Sequence, residues 1–306
     1  MASTERTILA LHPGALGDVV LFGHLLAELP GRVTLVAGGE KARLLAGLGV
    51  VETAADFDVL PVQEAFSDVP LAECQLPGLL GPHERLISCF AGGDARVERR
   101  LAALCGASEA AFLPTRPPTG FDGHLTDLWA GRLGLPAWPA AAAWRVPDAW
   151  TAAAERALVE GGIDPAGRYA VIHPGAGSEA KCWPLERFGE VGAGLAARGV
   201  QVAYVLGPVE RDRWRNGRLE ALGQLGPVLG PLPLSALAGV LGGAAAYVGN
   251  DSGASHLAAA VGAHTVAVFG PTSAVHFRPL GPHVTVFARG RLADVTSADV
   301  LAGITS

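Results

Sequence analysis

The chain has 306 residues, half of them apolar, with 23 basic against 29 acidic side chains and a formal net charge of -6. That length supplies one large or two medium cores, and two is the expectation. The chain has no basic run to meet a DNA or RNA backbone, its amino-terminal apolar run is too short for a signal-peptide core, and no later stretch reaches ~18 uninterrupted apolar residues, so it reads as soluble and cytoplasmic.

Short β-like runs alternate with amphipathic stretches, a pattern that produces parallel sheets covered by helices. In the first half the expected strands are "TILAL", "RVTLVAG", a weak "DFDVLPV" and "RLISCF". The helix "DVVLFGHLLAEL" follows the first of them, with Val19, Phe22, Leu26 and Leu29 assigned to one face. The segment "LGLPAWPAAAAWRVPDAWT", rich in Pro and Ala, reads as the linker between domains 1–148 and 149–306. The second half runs "YAVIHPG", the helix "PLERFGEVGAGLAARG", the strand "VQVAYVLG", a helix around "ERDRWRNGRLEAL", the helix "LSALAGVLGG", then "AAYVGND", "SGASHLAAAVG" and "HTVAVFG".

"HPGA" ends the first strand of each half, at His12–Ala15 and again at His173–Ala176. Gly allows close backbone approach and Pro stiffens the turn, so both copies suit the first βα loop of a Rossmann-like sheet, where ligands bind at the carboxyl ends of strands. Both loops are expected to open on one cleft.

Candidate chemistry gathers at three strand–loop–helix junctions. In "GALGDVV", Asp18 falls in the first helical turn, where a carboxylate stays ionised and suits either a general base or a cap. In "HPGAGSEAKCWPLERF", Gly175, Gly177 and Ser178 form a side-chain-poor loop leading to a helix start near Pro184, so free backbone N–H groups can converge on an anion. Lys181 adds a positive charge, and only one other lysine, Lys41, occurs in the chain. In "YVGNDSGASHLAAAVG", Asp251 ends a strand, Ser252 and Gly253 open a helix, and His256 lies about one turn in. This group suits a second phosphate and sugar hydroxyls, or simple capping by Asp251 or Ser252. The four cysteines, Cys74, Cys89, Cys105 and Cys182, have no metal-ligand spacing and read as buried small hydrophobes, with no metal site and no disulfide framework expected.

Taken together, "GALGDVVL", "HPGAGSEAKCWPLERF", "GNDSGASHLAAAVGAHTVAVFGPT" and the terminal "VTSADVLAGI" resemble the ADP-heptose:lipopolysaccharide heptosyltransferases, glycosyltransferase family 9. The resemblance covers the first strand–helix unit and most of residues 165–306, and residues 40–150 match only in outline. It implies an α/β fold of two facing Rossmann-like domains, the GT-B arrangement, whose last helix, "TSADVLAGI", can return to the first domain. It implies inverting transfer of a sugar, heptose, from an ADP-linked nucleotide-sugar donor to a hydroxyl of a glycan or lipid-linked glycan acceptor. No metal or other cofactor is implied, and membrane contact would be peripheral, through the acceptor. The donor diphosphate would lie against Ser178, Lys181 and the loop Ser252-Gly253-Ala254, with Asp251 and His256 nearby, and Glu210 would serve the ribose. Asp18 matches the family's base. Two departures, His12 in place of Arg and Phe22-Gly23 in place of Thr-Pro, lie on the acceptor side and leave the donor assignment intact.

Two other functions fit parts of the sequence. Gly175-x-Gly177-x-x-Ala180 is a G-x-G-x-x-A pattern of the kind used by NAD(P)-dependent oxidoreductases, but the next strand, "VAYVLGP", ends without the acidic residue that would hold a ribose. A catalytically silent nucleotide-sugar-binding protein would keep the donor residues without turnover.

Overall fold

The computed structural model describes residues 6–136, 142–214 and 217–305. These fall into two compact units, Met1–Pro139 and Ala140–Ser306, so the division comes nine residues before the 148/149 boundary expected from composition.

The first unit runs β1 (Thr7–Leu11), α1 (Leu16–Leu26), β2 (Arg32–Ala37), α2 (Lys41–Gly47), β3 (Thr53–Asp56), α3 (Leu76–Leu80), β4 (Arg85–Ser88), α4 (Ala95–Leu104), β5 (Glu109–Phe112) and α5 (Leu125–Leu133). Its sheet is parallel throughout, in the order β3-β2-β1-β4-β5. One face packs Leu9, Leu11, Val36, Leu86, Val97, Leu101 and Leu104 into a core. The weak strand expected at "DFDVLPV" is displaced: β3 lies just before it, and Asp56 ends the strand by accepting the Asp58 and Gly39 N–H groups, each at 3.0 Å. Helix α1 also departs from the one-faced expectation. Every residue from Val19 to Leu26 is buried, and Leu29 lies beyond the helix end, as befits a helix hydrophobic all round.

The second unit runs α6 (Asp148–Glu160), β6 (Tyr169–His173), α7 (Leu185–Ala196), β7 (Gln201–Val205), α8 (Pro208–Arg213), α9 (Arg218–Leu225), β8 (Val228–Leu229), α10 (Leu234–Gly242), β9 (Ala246–Asn250), α11 (Gly253–Ala260), β10 (Thr265–Phe269), α12 (Ala274–Phe277), β11 (Val284–Ala288) and α13 (Ser297–Thr305). Its parallel sheet has the order β11-β10-β9-β6-β7-β8. Strands β6, β9 and β10 are buried from end to end, which explains why their sequences read as unbroken apolar runs.

The expected linker, residues 133–151, falls partly outside the described residues (137–141), and its last four residues open α6, which lies so close to α10 that a Cβ on Gly239 would clash with the Trp150 carbonyl oxygen. The single helix expected around "ERDRWRNGRLEAL" is two, α8 and α9. The last helix, α13, packs on its own unit: Val300, Leu301 and Ile304 join the core of the second unit, and Ser297 Oγ donates to Glu190 of α7 at 2.5 Å.

Candidate functional site

In the second sheet, β6 and β9 are neighbours whose connections leave in opposite directions, β6 towards β7 and β9 towards β10. Loops that part company in this way open a crevice at the carboxyl ends of the strands, the usual ligand position in open α/β sheets. The "HPGA" loop leaves β6 there and is held by Asn250 at the end of β9. Asn250 Nδ2 donates to the carbonyls of Pro174 (2.9 Å) and Gly175 (3.1 Å), and its Oδ1 accepts the Trp183 N–H at 2.9 Å. Trp183 is itself fully buried, with Nε1 donating to the Val295 carbonyl. The segment between is thus fixed at both ends. It does not run straight into α7 as expected, since a 3₁₀ turn at Glu179–Lys181 intervenes and Pro184 precedes the helix.

Lys181 reaches back from that turn to donate to Asp251 Oδ2 at 2.7 Å, with the Asp251 side chain only 8% exposed. This pair joins two of the expected site residues. Ser252 occupies the N-cap position of α11 without capping it by its side chain. Its hydroxyl lies instead 3.3 Å from His173 Nδ1 and 3.3 Å from Ser255 Oγ. His173 Nε2 stands 3.8 Å from Glu210 Oε2, and Glu210 also accepts the Gly207 N–H at 2.9 Å. Burial pushes the Glu210 carboxyl up, but its interactions with His173 and the Gly207 N–H hold it below the ordinary value, so it stays ionised. The capping explanation therefore fails for Ser252. Gly253 opens α11, and His256 is buried within that helix, one turn behind.

Beside this string lies a cavity of about 660 Å³, lined by Ser178, Glu179, Cys182, Glu210, Arg213, Trp214 and Arg218 among others. That volume accommodates a ligand of nucleotide size. Arg213 is anchored on the Gly177 carbonyl at 3.1 Å, and the Arg218 guanidinium stacks 4.1 Å from the Trp214 ring centre. The space a Cβ on Gly175 would fill is taken by the Glu210 carboxylate, so this glycine serves the packing of an acid.

The first unit repeats the arrangement with other residues. At the end of β1, the Gly14 N–H donates to His12 Nδ1 at 3.0 Å, while Lys41 Nζ donates to the Gly14 carbonyl at 2.8 Å. A Cβ on Gly14 would stand 3.1 Å from Asp18 Oδ2. Asp18 is half-buried in the first turn of α1, and its charge joins burial in raising the thiol of Cys89 above the ordinary value. His12 is buried, and that burial, with the positive charge of Lys41, drives its pKa down to about 4.

The structure thus joins Lys181 to Asp251, lines one cavity with Ser178 and Glu210, and sets Ser252 in a string with Glu210 through His173; Asp18 belongs to the other unit. Sequence reasoning missed His173, Asn250, Arg213, Trp214 and Arg218. The first two lie inside the quoted motifs and were overlooked because both are buried side chains whose role appears only when β6 and β9 pair. The other three carry no motif at all. Among the described residues, no group of three or more His, Cys, Asp or Glu side chains gathers as a metal cage, and no helix is long and apolar enough to cross a membrane.

Over 143 residues, 45% of this chain, the sequence is 30% identical to lipopolysaccharide heptosyltransferase 3 of Escherichia coli. Over 110 residues, 36% of this chain, it is 38% identical to lipopolysaccharide heptosyltransferase 1 of Pseudomonas aeruginosa. The matched stretches span 42% and 31% of those relatives. Among solved structures, a family 9 glycosyltransferase from Veillonella parvula superposes with a TM-score of 0.75 at 17% identity, covering 99% of this chain and 98% of that one. The E. coli ADP-heptose lipopolysaccharide heptosyltransferase II gives 0.73 at 19%, covering 98% and 97%. Both share its fold of two parallel α/β units, that of GT-B glycosyltransferases. The family model for glycosyltransferase family 9 (heptosyltransferase) matches residues 138–301, more than half of the chain and including the loops after β6 and β9, and the chain belongs to that family.

Proposed function

We propose that this protein transfers heptose from an ADP-linked donor to a hydroxyl of a lipopolysaccharide-type glycan, with inversion at the anomeric carbon. One observation carries the reading: at the β6/β9 crevice, Ser252, turned away from capping duty, is linked through His173 to Glu210 on the wall of a nucleotide-sized cavity, and Lys181 is held by Asp251 next to Ser252.

The donor's diphosphate lies at the start of α11, against the free N–H groups of that helix, Ser252 and Lys181. Lys181 spends one of its three donors on Asp251, which orients the ammonium and leaves two for phosphate oxygens. As the glycosidic bond to the diphosphate breaks, negative charge grows on the leaving group, and the helix start and the ammonium stabilise it. Ser178 supports the diphosphate from the opposite loop, and the Trp214–Arg218 wall bounds the space for the nucleoside. Glu210, ionised and fixed by His173, accepts from the ribose hydroxyls. Asp18 takes the proton of the acceptor hydroxyl as its oxygen attacks, which requires a carboxylate within hydrogen-bond reach and ionised near neutral pH. Any contact with a membrane is made through the acceptor, on the cytoplasmic side.

The test is a calorimetric titration of the full chain with ADP, UDP, GDP and NAD, followed by incubation with ADP-heptose and a lipopolysaccharide-core acceptor and mass spectrometry of the product. Binding of ADP and an acceptor heavier by one heptose are expected. Preference for NAD, or ADP-heptose consumed by no acceptor, would overturn the reading.

A further inference from the structure

Buried at the end of β1 is a histidine that the transfer chemistry leaves without a task. We propose that His12, together with Lys41, is a positioning residue for Asp18: the two side chains hold Gly14 by its N–H and its C=O and so fix the start of the helix that carries the carboxylate. The assignment rests on the transfer function proposed above.

Four observations converge on it. Helix α1 opens at Ala15, which offers no side-chain cap, so the helix start takes its place from outside. The His12 imidazole, two residues back, accepts the Gly14 N–H, and Lys41, 27 residues on, donates to the Gly14 carbonyl, so both polar groups of one residue are held by side chains. The gap at Gly14 is closed on two sides, since an added Cβ would stand 2.5 Å from His12 Cε1 and 3.1 Å from Asp18 Oδ2. Finally, the His12 ring rests 5.2 Å from Phe22 and 6.2 Å from Trp129, and Phe22 lies four residues after Asp18 on the same helix face. His12 therefore touches the helix both at its entry and one turn below the carboxylate.

The choice of residue supports a positioning role over simple packing. With Nδ1 accepting, the neutral ring carries its hydrogen on Nε2, and that buried atom has no hydrogen-bond partner among the described residues. A core-filling phenylalanine would avoid that cost. An arginine at this place has only donors and could not accept the Gly14 N–H at all. The histidine is thus matched to the loop geometry of this chain, and burial together with Lys41 keeps it neutral and able to accept.

The experiment compares the full-length protein with His12→Phe, His12→Asn and Lys41→Met, measuring kcat for heptose transfer, ADP affinity by calorimetry and the nitrogen-15 resonances of the His12 ring. His12→Phe and Lys41→Met should each lower kcat roughly 10–100-fold, the penalty of a slightly misplaced catalytic group, while ADP affinity, a property of the other unit, stays unchanged. His12→Asn, whose amide oxygen can accept the same N–H, should recover most of the loss. The unsubstituted ring should show the Nε2–H tautomer at neutral pH. The opposite tautomer, or unchanged kcat in both His12→Phe and Lys41→Met beside an active parent, would overturn this assignment alone. A parent with no turnover would overturn the transfer function and this assignment with it.

Discussion

Replacing His12 with Asn should change how stability responds to acid, and the size of the change follows from its burial. In the folded chain His12 is 1% exposed and its pKa is held at about 4, first by burial and then by the charge of Lys41. In the unfolded chain it returns to about 6.5. Above pH 6.5 both states are neutral and His12 adds no pH dependence. Between 6.5 and 4 the unfolded chain binds a proton that the folded chain excludes, so stability falls as pH falls; below 4 both are protonated and the loss levels off. Linkage over that shift gives about 2 kcal/mol lost by pH 5 and about 3 kcal/mol at the plateau. Urea denaturation of the parent and of His12→Asn, run from pH 8 to pH 4, should therefore show the difference between them moving in favour of the variant by those amounts. The difference cancels the other eight histidines, which both proteins share. Parallel curves would show that His12 titrates normally, and hence that it is neither as buried nor as close to Lys41 as its contacts require.

Three further outcomes are expected. Lys181→Ala should weaken nucleoside diphosphate by roughly 10–100-fold in calorimetry while leaving free nucleoside alone, the value of a charge-assisted contact; adding Asp251→Asn, which neutralises the carboxylate left unpaired, should restore stability but not affinity. Asp18→Asn should cut transfer by a factor of roughly 10²–10⁴ with donor binding unmoved, measured as product formed at saturating donor. Asn250→Ala, by orphaning the Trp183 N–H and the carbonyls of Pro174 and Gly175, should cost at least about 1–3 kcal/mol in urea midpoint and loosen ADP binding with it; an unaltered midpoint would show that the loop is held by other contacts.

The sequence by itself determined the elements whose signal is local. Strands β1, β2, β4, β6, β7, β9 and β10 announced themselves as apolar runs because parallel strands buried on both faces need apolar residues at every position. The positions of Asp18, Lys181, Asp251 and Ser252 in the segments that follow β1, β6 and β9 came from the strand–loop–helix order alone. Short or edge strands escaped: β8 has two residues, and β5 and β11 are half-exposed, so none carries an unbroken apolar run. Helix α6, which begins in the last four residues of the Pro- and Ala-rich segment, was not anticipated, and its seat on Gly239 of α10 ties it to the second unit. Which side chain answers which was decided entirely by tertiary structure. His173 meets Glu210 and Ser252, Lys181 meets Asp251, and Lys41 meets Gly14 because strands far apart in sequence lie side by side in a sheet. A buried polar group must find a partner wherever the fold brings one within about 3 Å, and that distance is set by packing, which no spacing along the chain records.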